Sequence, residues 1–231
     1  LDKFKMAKKV HLLENSRDPA KKIVLPPGAD ITAYDTTWQK EIVYELNEES
    51  KLTYIFISTV PMKKKVTFIL NGRSALVNVY GIYLLNKDQS VSLITRQEHY
   101  APGASSTVTL RGVLADGAQI DHKGVIFVDH SAERTNASHY NKTILLSRKV
   151  QVNSKPELEV RQKNVQCSHG SAVGYVDKDQ FFYVQSRGIS EPMARSMLLK
   201  AFLTFSCDAM RDKTLKEDLM KQLNEKMREM V

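Results

Sequence analysis

The sequence predicts a mainly β body followed by a short helical segment at the C-terminus, and three observations carry that reading. From about Glu41 to Arg187 the chain is built of short segments rich in Val, Ile, Leu, Tyr, Phe and Thr with turn residues between them, and no helical apolar period persists there. After Gly188 the spacing of apolar residues changes to that of helices. At 231 residues, with 42% hydrophobic and 26% charged residues, the chain is long enough for one sizeable core with an appendage and has the composition of an ordinary globular protein. Three regions follow: a basic N-terminal segment 1–40 with no assigned structure, a β core 41–188 and a helical segment 189–231.

The β core reads as successive strands. "EIVYEL", "TYIFIS", "VTFIL", "SALVNVYGIYLL", "SVSLITRQEHY", "STVTLRGVL", "GVIFVDH", "KTILLS" and "QFFYVQS" are the candidate strands, and Asn71-Gly72, Pro102-Gly103, Asp116-Gly117 and Lys123-Gly124 are the breakers between several of them. In "STVTLRGVL" a strand places Val108 and Leu110 on one face and Thr107 and Thr109 on the other. A sandwich, a barrel and a β-solenoid all accommodate this pattern. Hairpin turns are few, which suits a solenoid, but no exact sequence repeat separates it from the sandwich.

In "SEPMARSMLLKAFLTFSC", Ser190 is a candidate N-cap and Pro192 falls in the first turn, where its missing N–H costs nothing. The stripe there is Met193, Met197, Leu198, Ala201, Phe202 and Phe205. A second helix is expected over "KTLKEDLMKQLNEKMREM", with Leu215, Leu219, Leu223, Met227 and Met230 on one stripe. Cys207 closes the first helix and is expected to be buried against the second. Gly188 is expected to permit a tight strand-to-helix turn beside Arg187.

Charge and motif content narrow the function classes. The formal charge of +8 admits an acidic protein, a nucleic acid or an anionic membrane as partner, and part of it lies in the first 25 residues, which carry seven Lys/Arg against three Asp/Glu. The basic excess is not interleaved with an aromatic-rich strand, so no nucleic-acid binding is expected. The apolar runs are too short to cross a bilayer, and the N-terminal stretch lacks a hydrophobic signal core, so a cytoplasmic protein is expected, not a membrane one. Two cysteines, Cys167 and Cys207, suggest no disulfide scaffold. The sequons at Asn136 and Asn141 are expected to be unused without a secretory signal. No GxxxxGK[ST] is present, so any ATP hydrolysis belongs to a partner, and no GxGxxG follows a strand.

The chemistry-bearing pattern is Cys167-Ser168-His169 in "VQCSHG". On a strand the thiol and imidazole share a face while Ser168 points opposite. By pattern alone such a Cys is a buried small hydrophobe, one half of a metal site or a nucleophile. The nucleophile reading is weakest, because i and i+2 Cβ atoms lie roughly 6 to 7 Å apart on a strand and nothing nearby suggests an oxyanion hole. The protein is therefore not expected to be an enzyme. His122, His130 and His139 match no ligand spacing and are expected at solvated strand ends or turns.

From Ile120 onward, "AERTNASHYNKTILLS", "KPELEV", "VQCSHGSAVGYVDKDQFFYVQSRGIS" and "ARSMLLKAF" resemble, in order and spacing, the C-terminal half of the SufB/SufD family of SUF iron-sulfur cluster assembly proteins. The resemblance covers roughly Gly112 to Phe205, and "CSHG" followed by "FFYVQSRG" looks closer to the SufD branch. It implies a right-handed parallel β-helix with a C-terminal helical part, and so favours the solenoid. It further implies a scaffold that pairs through its β-helix with a SufB-like chain or a second copy of itself and docks a SufC-like ABC ATPase. Cys167 and His169 match the Cys and His near the pairing interface and are the implied ligands of iron or of an iron-sulfur cluster, held transiently and shared with the partner chain. The helices after Ser190 match the ATPase-docking end, with Arg187, Met193, Met197, Leu198 and Phe202 as its candidate residues. The chain is shorter than family members, and residues before about Ile42 lack the likeness, so a compact form that retains the β-helix without assembly activity is the alternative.

Overall fold

The computed structural model describes residues 9–13, 20–35, 40–207 and 213–230. The chain winds as a parallel β-solenoid and ends in helices. Strands β1 (Lys9–Leu13), β3 (Asp30–Asp35), β5 (Lys51–Ser58), β7 (Leu76–Leu85), β9 (Ser105–Leu114), β11 (Asn136–Leu145) and β13 (Gln166–Gly174) stack in order as one seven-stranded sheet. The second, six-stranded sheet holds β2 (Ala20–Leu25), β4 (Glu41–Leu46), β6 (Met62–Leu70), β8 (Ser90–His99), β10 (Gln119–Val128) and β12 (Gln151–Val160). Each coil thus gives one strand to each sheet, and every pairing is parallel.

Alternation drives the winding. Val108 and Leu110 point inward and are fully buried while Thr107 and Thr109 face out, and the same period recurs along β4 and β8. Inward side chains of both sheets meet in a core that includes Tyr44, Tyr54, Phe56 and Phe68. Coil length is not constant: Asp30 pairs with Lys51, 21 residues on, whereas Ser105 pairs with Asn136, 31 residues on. A drifting period of this size leaves no exact repeat in the sequence.

The corners stack as regularly as the strands. Gly28, Glu49, Ser74, Gly103 and Arg134 all have positive φ, between 53° and 72°, and each is followed by a small buried residue: Ala29, Ser50, Ala75, Ala104 and Thr135. Main-chain bonds run from coil to coil at this edge, from Gly28 N to Glu48 O, Glu49 N to Arg73 O, Ser74 N to Pro102 O, Gly103 N to Glu133 O and Arg134 N to Asn164 O. The turn donors that a solenoid corner would leave unpaired are satisfied by the next coil.

Helices α1 (Lys178–Ser186), α2 (Glu191–Cys207) and α3 (Lys213–Arg228) follow β13. Leu199, Leu203, Leu219, Leu223 and Met227 bury against Tyr34, Ile55, Ile82, Leu84 and Val113 on the outer face of the seven-stranded sheet. No described helix is long and apolar enough to cross a membrane.

Several expectations need correction. "QFFYVQS" is not a strand: it lies in α1, started by Asp177, whose carboxylate accepts from the Gln180 N–H at 2.8 Å. Its aromatic residues suit strands, but the cap and the polar Lys178-Asp179-Gln180 lead-in decide for a helix. Arg187 and Gly188 consequently join two helices, and Gly188 does adopt positive φ, +83°. Strands begin within the basic N-terminal segment and end at Gly174. Lys123-Gly124 is no breaker but lies inside β10. On α2 the buried side is Ala194, Leu199 and Leu203 with Leu198 and Phe202 half-buried, while Met193 and Met197 are 61% and 47% exposed. The Cys207 and Leu215 side chains lie outside the described residues.

Candidate functional site at the last coil

The solenoid interior changes chemistry toward its C-terminal end. Thr95, Gln97 and His99 face inward from β8, Ser106 from β9, His122 from β10, and His139 and Asn141 from β11, all buried. Against the expectation of solvated positions, His122 and His139 are 1% and 3% exposed; their rings stack across the interior at 5.0 Å and 15°. Gly124 makes room for this pair, since a Cβ there would lie 2.7 Å from His139 Nε2.

Both Nε2 atoms reach the Thr95 hydroxyl, at 3.3 Å from His122 and 3.1 Å from His139. One hydroxyl has one proton to give, so one ring accepts from Thr95 and the other donates to it, in opposite tautomers. Beside them Ser106 Oγ accepts from Gln97 Nε2 at 2.6 Å and meets His99 Nε2 at 2.8 Å. Burial holds His99 down near pKa 4 and lowers His122 and His139 as well, with mutual repulsion adding to His122 and His169 repelling a proton from His139.

Cys167 and His169 continue this interior onto β13. Cys167 stands in register with Ala137 and His169 with His139, and both are half-buried, whereas Ser168 is exposed and faces outward to Tyr140, whose hydroxyl it meets at 3.0 Å. The thiol packs against the cluster of Ile126, Val128, Ala132 and Ala137. Burial pushes its pKa up, with a hydrogen bond from the Ala137 main chain acting in the opposite direction, so at neutral pH it is a thiol that must lose a proton to bind a metal. Among the described residues no group of three or more His, Cys, Asp or Glu is placed to hold a metal ion. The pair offers two donors, fewer than the four that a cluster takes from protein.

The remaining candidate residues lie around the helices. The exposed apolar surface holds Met193 and Met197 together with Tyr175, Phe182 and Tyr183, the last two missed because their segment reads as a strand. Phe202 packs on the cluster between helices and sheet and Leu198 is half-buried, and the Arg111 guanidinium lies 4.9 Å over the Phe202 ring. Arg187 stacks on Tyr183 of its own helix junction.

A polar, buried interior that ends at a half-buried Cys–His pair on β13 defines the class as a parallel β-solenoid protein. Residues 30–202 match the family described as SUF system FeS cluster assembly, SufBD core domain, and the chain belongs to that family. It is similar to the iron-sulfur cluster assembly protein SufD of Escherichia coli (strain K12), 28% identical over 68% of this chain and 37% of that protein. It is likewise similar to the iron-sulfur cluster assembly protein SufB of Bacillus subtilis, 28% identical over 58% of this chain and 29% of that protein. Against SufD of the same Bacillus the identity is 25% over 61% of this chain and 32% of that protein. The chain thus spans about a third of the length of these relatives.

Proposed function

We propose that the chain is a scaffold subunit of a SUF-type assembly complex, in which Cys167 and His169 contribute ligands to a nascent iron-sulfur cluster at an interface with a second β-solenoid chain. The observation that carries this reading is the position of the pair: inward-facing, half-buried and on the terminal strand β13. Two donors at an uncovered coil end suit a site completed by another chain, and a site so divided suits a scaffold that must release its product. The partner is a SufB-like chain or a second copy of this one. The apolar surface of Tyr175, Phe182, Tyr183, Met193 and Met197, with Arg187 beside it, is the docking face for an ABC-type ATPase. Nucleotide-driven closure of that ATPase would move the two scaffold halves and open or shut the site.

Anaerobic reconstitution with a SufB-like chain and a SufC-like ATPase tests both parts. Cys167→Ser is expected to lower bound iron and acid-labile sulfide by at least half in a complex that still assembles, and removal of residues 190–231 to abolish ATPase retention. Unchanged iron and sulfide in a Cys167→Ser, His169→Ala double variant would favour the alternative, a solenoid that pairs without taking part in assembly.

A further inference from the structure

The turns that lead into β11 and β13 enclose a recess of about 420 Å³ at the corner of the last two coils. The earlier turn, residues 129–135, is longer than the later one, residues 161–165, and the recess lies where the two meet the first residues of the strands. Hydrogen bonds within and between the coils tie its frame. Gln162 Nε2 donates to His130 O at 2.5 Å, and Gln162 Oε1 accepts from the main chain of Lys163 at 2.7 Å and of Asn164 at 3.3 Å. Arg134 N donates to Asn164 O at 2.7 Å, and Gln166 N to Thr135 O at 2.9 Å. A backbone held in this way meets a ligand without the cost of being ordered first.

The lining is polar and its charges have one sign. Arg134 and Lys163 bring two exposed cations, and among the described residues neither takes part in an ion pair. Glu133, next to Arg134 in sequence, is outside the lining, and no described carboxylate lines the recess. Asn136 and Gln166, register partners on adjacent strands, add two exposed carboxamides, and Asn164 adds a third. Cations and carboxamide NH2 groups alike donate hydrogen bonds to oxygen. Among the described residues no aromatic ring lines the recess, so the ligand that fits is hydrophilic and rich in acceptor oxygens.

We propose that this recess binds a small hydrophilic oxyanion of more than one negative charge, of the phosphate or polycarboxylate class, held between the Arg134 guanidinium and the Lys163 ammonium with the Asn136, Asn164 and Gln166 carboxamides around it. A guanidinium fork meets a pair of oxygens on such a group at once, while the ammonium adds a compact charge. The volume falls within the range of small-molecule sites. The site is separate from Cys167 and His169, which face the solenoid interior, and does not rest on the scaffold reading.

The test is titration of the isotope-labelled chain with inorganic phosphate, citrate and acetate at one ionic strength, followed by amide chemical shifts. Constant ionic strength removes general screening as a cause of any difference. Phosphate or citrate should move the amides of residues 134–136 and 163–166 to saturation, and whichever binds tighter identifies the headgroup. The monoanion acetate should bind at least tenfold more weakly. Arg134→Gly and Lys163→Ala should each weaken binding at least fivefold. Glycine suits the positive φ of residue 134, +58°, so that variant removes the guanidinium and keeps the turn. Lys149→Ala removes an equal charge from the opposite corner, where residues 146–150 join β11 to β12, and should leave binding unchanged. Shifts that saturate for neither polyanion, shifts centred on other residues, acetate binding as tight as theirs, or an equal loss in Lys149→Ala would each overturn the proposal.

Discussion

His99 is completely enclosed, with Ser106 at its Nε2, and its pKa falls from the ordinary 6.5 to about 4 because burial penalises the imidazolium. Unfolded chain takes up a proton near pH 6.5 and folded chain does not until about pH 4, so the unfolded state binds more protons across that window. Stability is therefore full above pH 6.5 and falls as pH drops toward 4, by up to about 1.4 kcal/mol per pH unit for this histidine. His122 and His139 act in the same direction. Urea unfolding midpoints measured from about pH 7.5 to about pH 4.5 should decline, and His99→Gln should flatten the decline; an unchanged slope in that variant would show that His99 is protonated in the folded state. None of this is legible from residue spacing. His122 reads as exposed because Asp121 and Lys123 flank it, yet flanking charges on a strand point to the opposite face, and only the register of the coils reveals which face is inside.

At the scale of elements, helix α2 separates a stability face from a surface face. Leu199 and Leu203 are at most 1% exposed against the sheet, while Met197 lies on the outer side. Leu199→Ala should cost about 2 to 5 kcal/mol in chemical denaturation. Met197→Glu should stay within about 0.5 kcal/mol yet weaken ATPase retention at least tenfold if the docking reading holds; a Met197→Glu chain that unfolds as readily as Leu199→Ala would place that methionine in the core instead. The sequence leaves this orientation open because α2 is apolar on nearly every side, whereas α3, with charges between Leu219, Leu223 and Met227, announces its buried stripe directly. For the strands, β4 to β11 are readable from composition, whereas β1 to β3, in the segment left without assigned structure, and the largely exposed β12 are not, and α1 reads as a strand instead of a helix. Their repeat is not readable, because it resides in the corners: a residue at positive φ followed by a small buried one. Only two of those five positive-φ residues are glycine, the others being Glu49, Ser74 and Arg134, so the turn chemistry that betrays a corner is mostly absent.

At the scale of the molecule the solenoid is a one-dimensional stack in which each coil is stabilised by the coils on either side. The last coil lacks one neighbour, and the consequence is visible in burial: β8 alternates buried and half-buried residues, whereas β12 and β13 are exposed along most of their length. Leu158 and Val160, at 43% and 41% exposed, and the outward edges of both strands present apolar side chains and main-chain groups that another solenoid could cover. The stack therefore predicts a gradient of local stability, since amides exchange through openings whose cost rises with the packing that each opening disrupts. In native-state hydrogen exchange, amides of β7 to β10 should be protected close to the global unfolding free energy, and those of β12 and β13 at least a hundredfold less. Adding a SufB-like chain should slow exchange selectively in β12 and β13, with Cys167 and His169 inside the protected stretch. Were protection to rise on the helices or the outer sheet face while β13 stayed fast, pairing would occur elsewhere, and the two donors would remain an ordinary strand end.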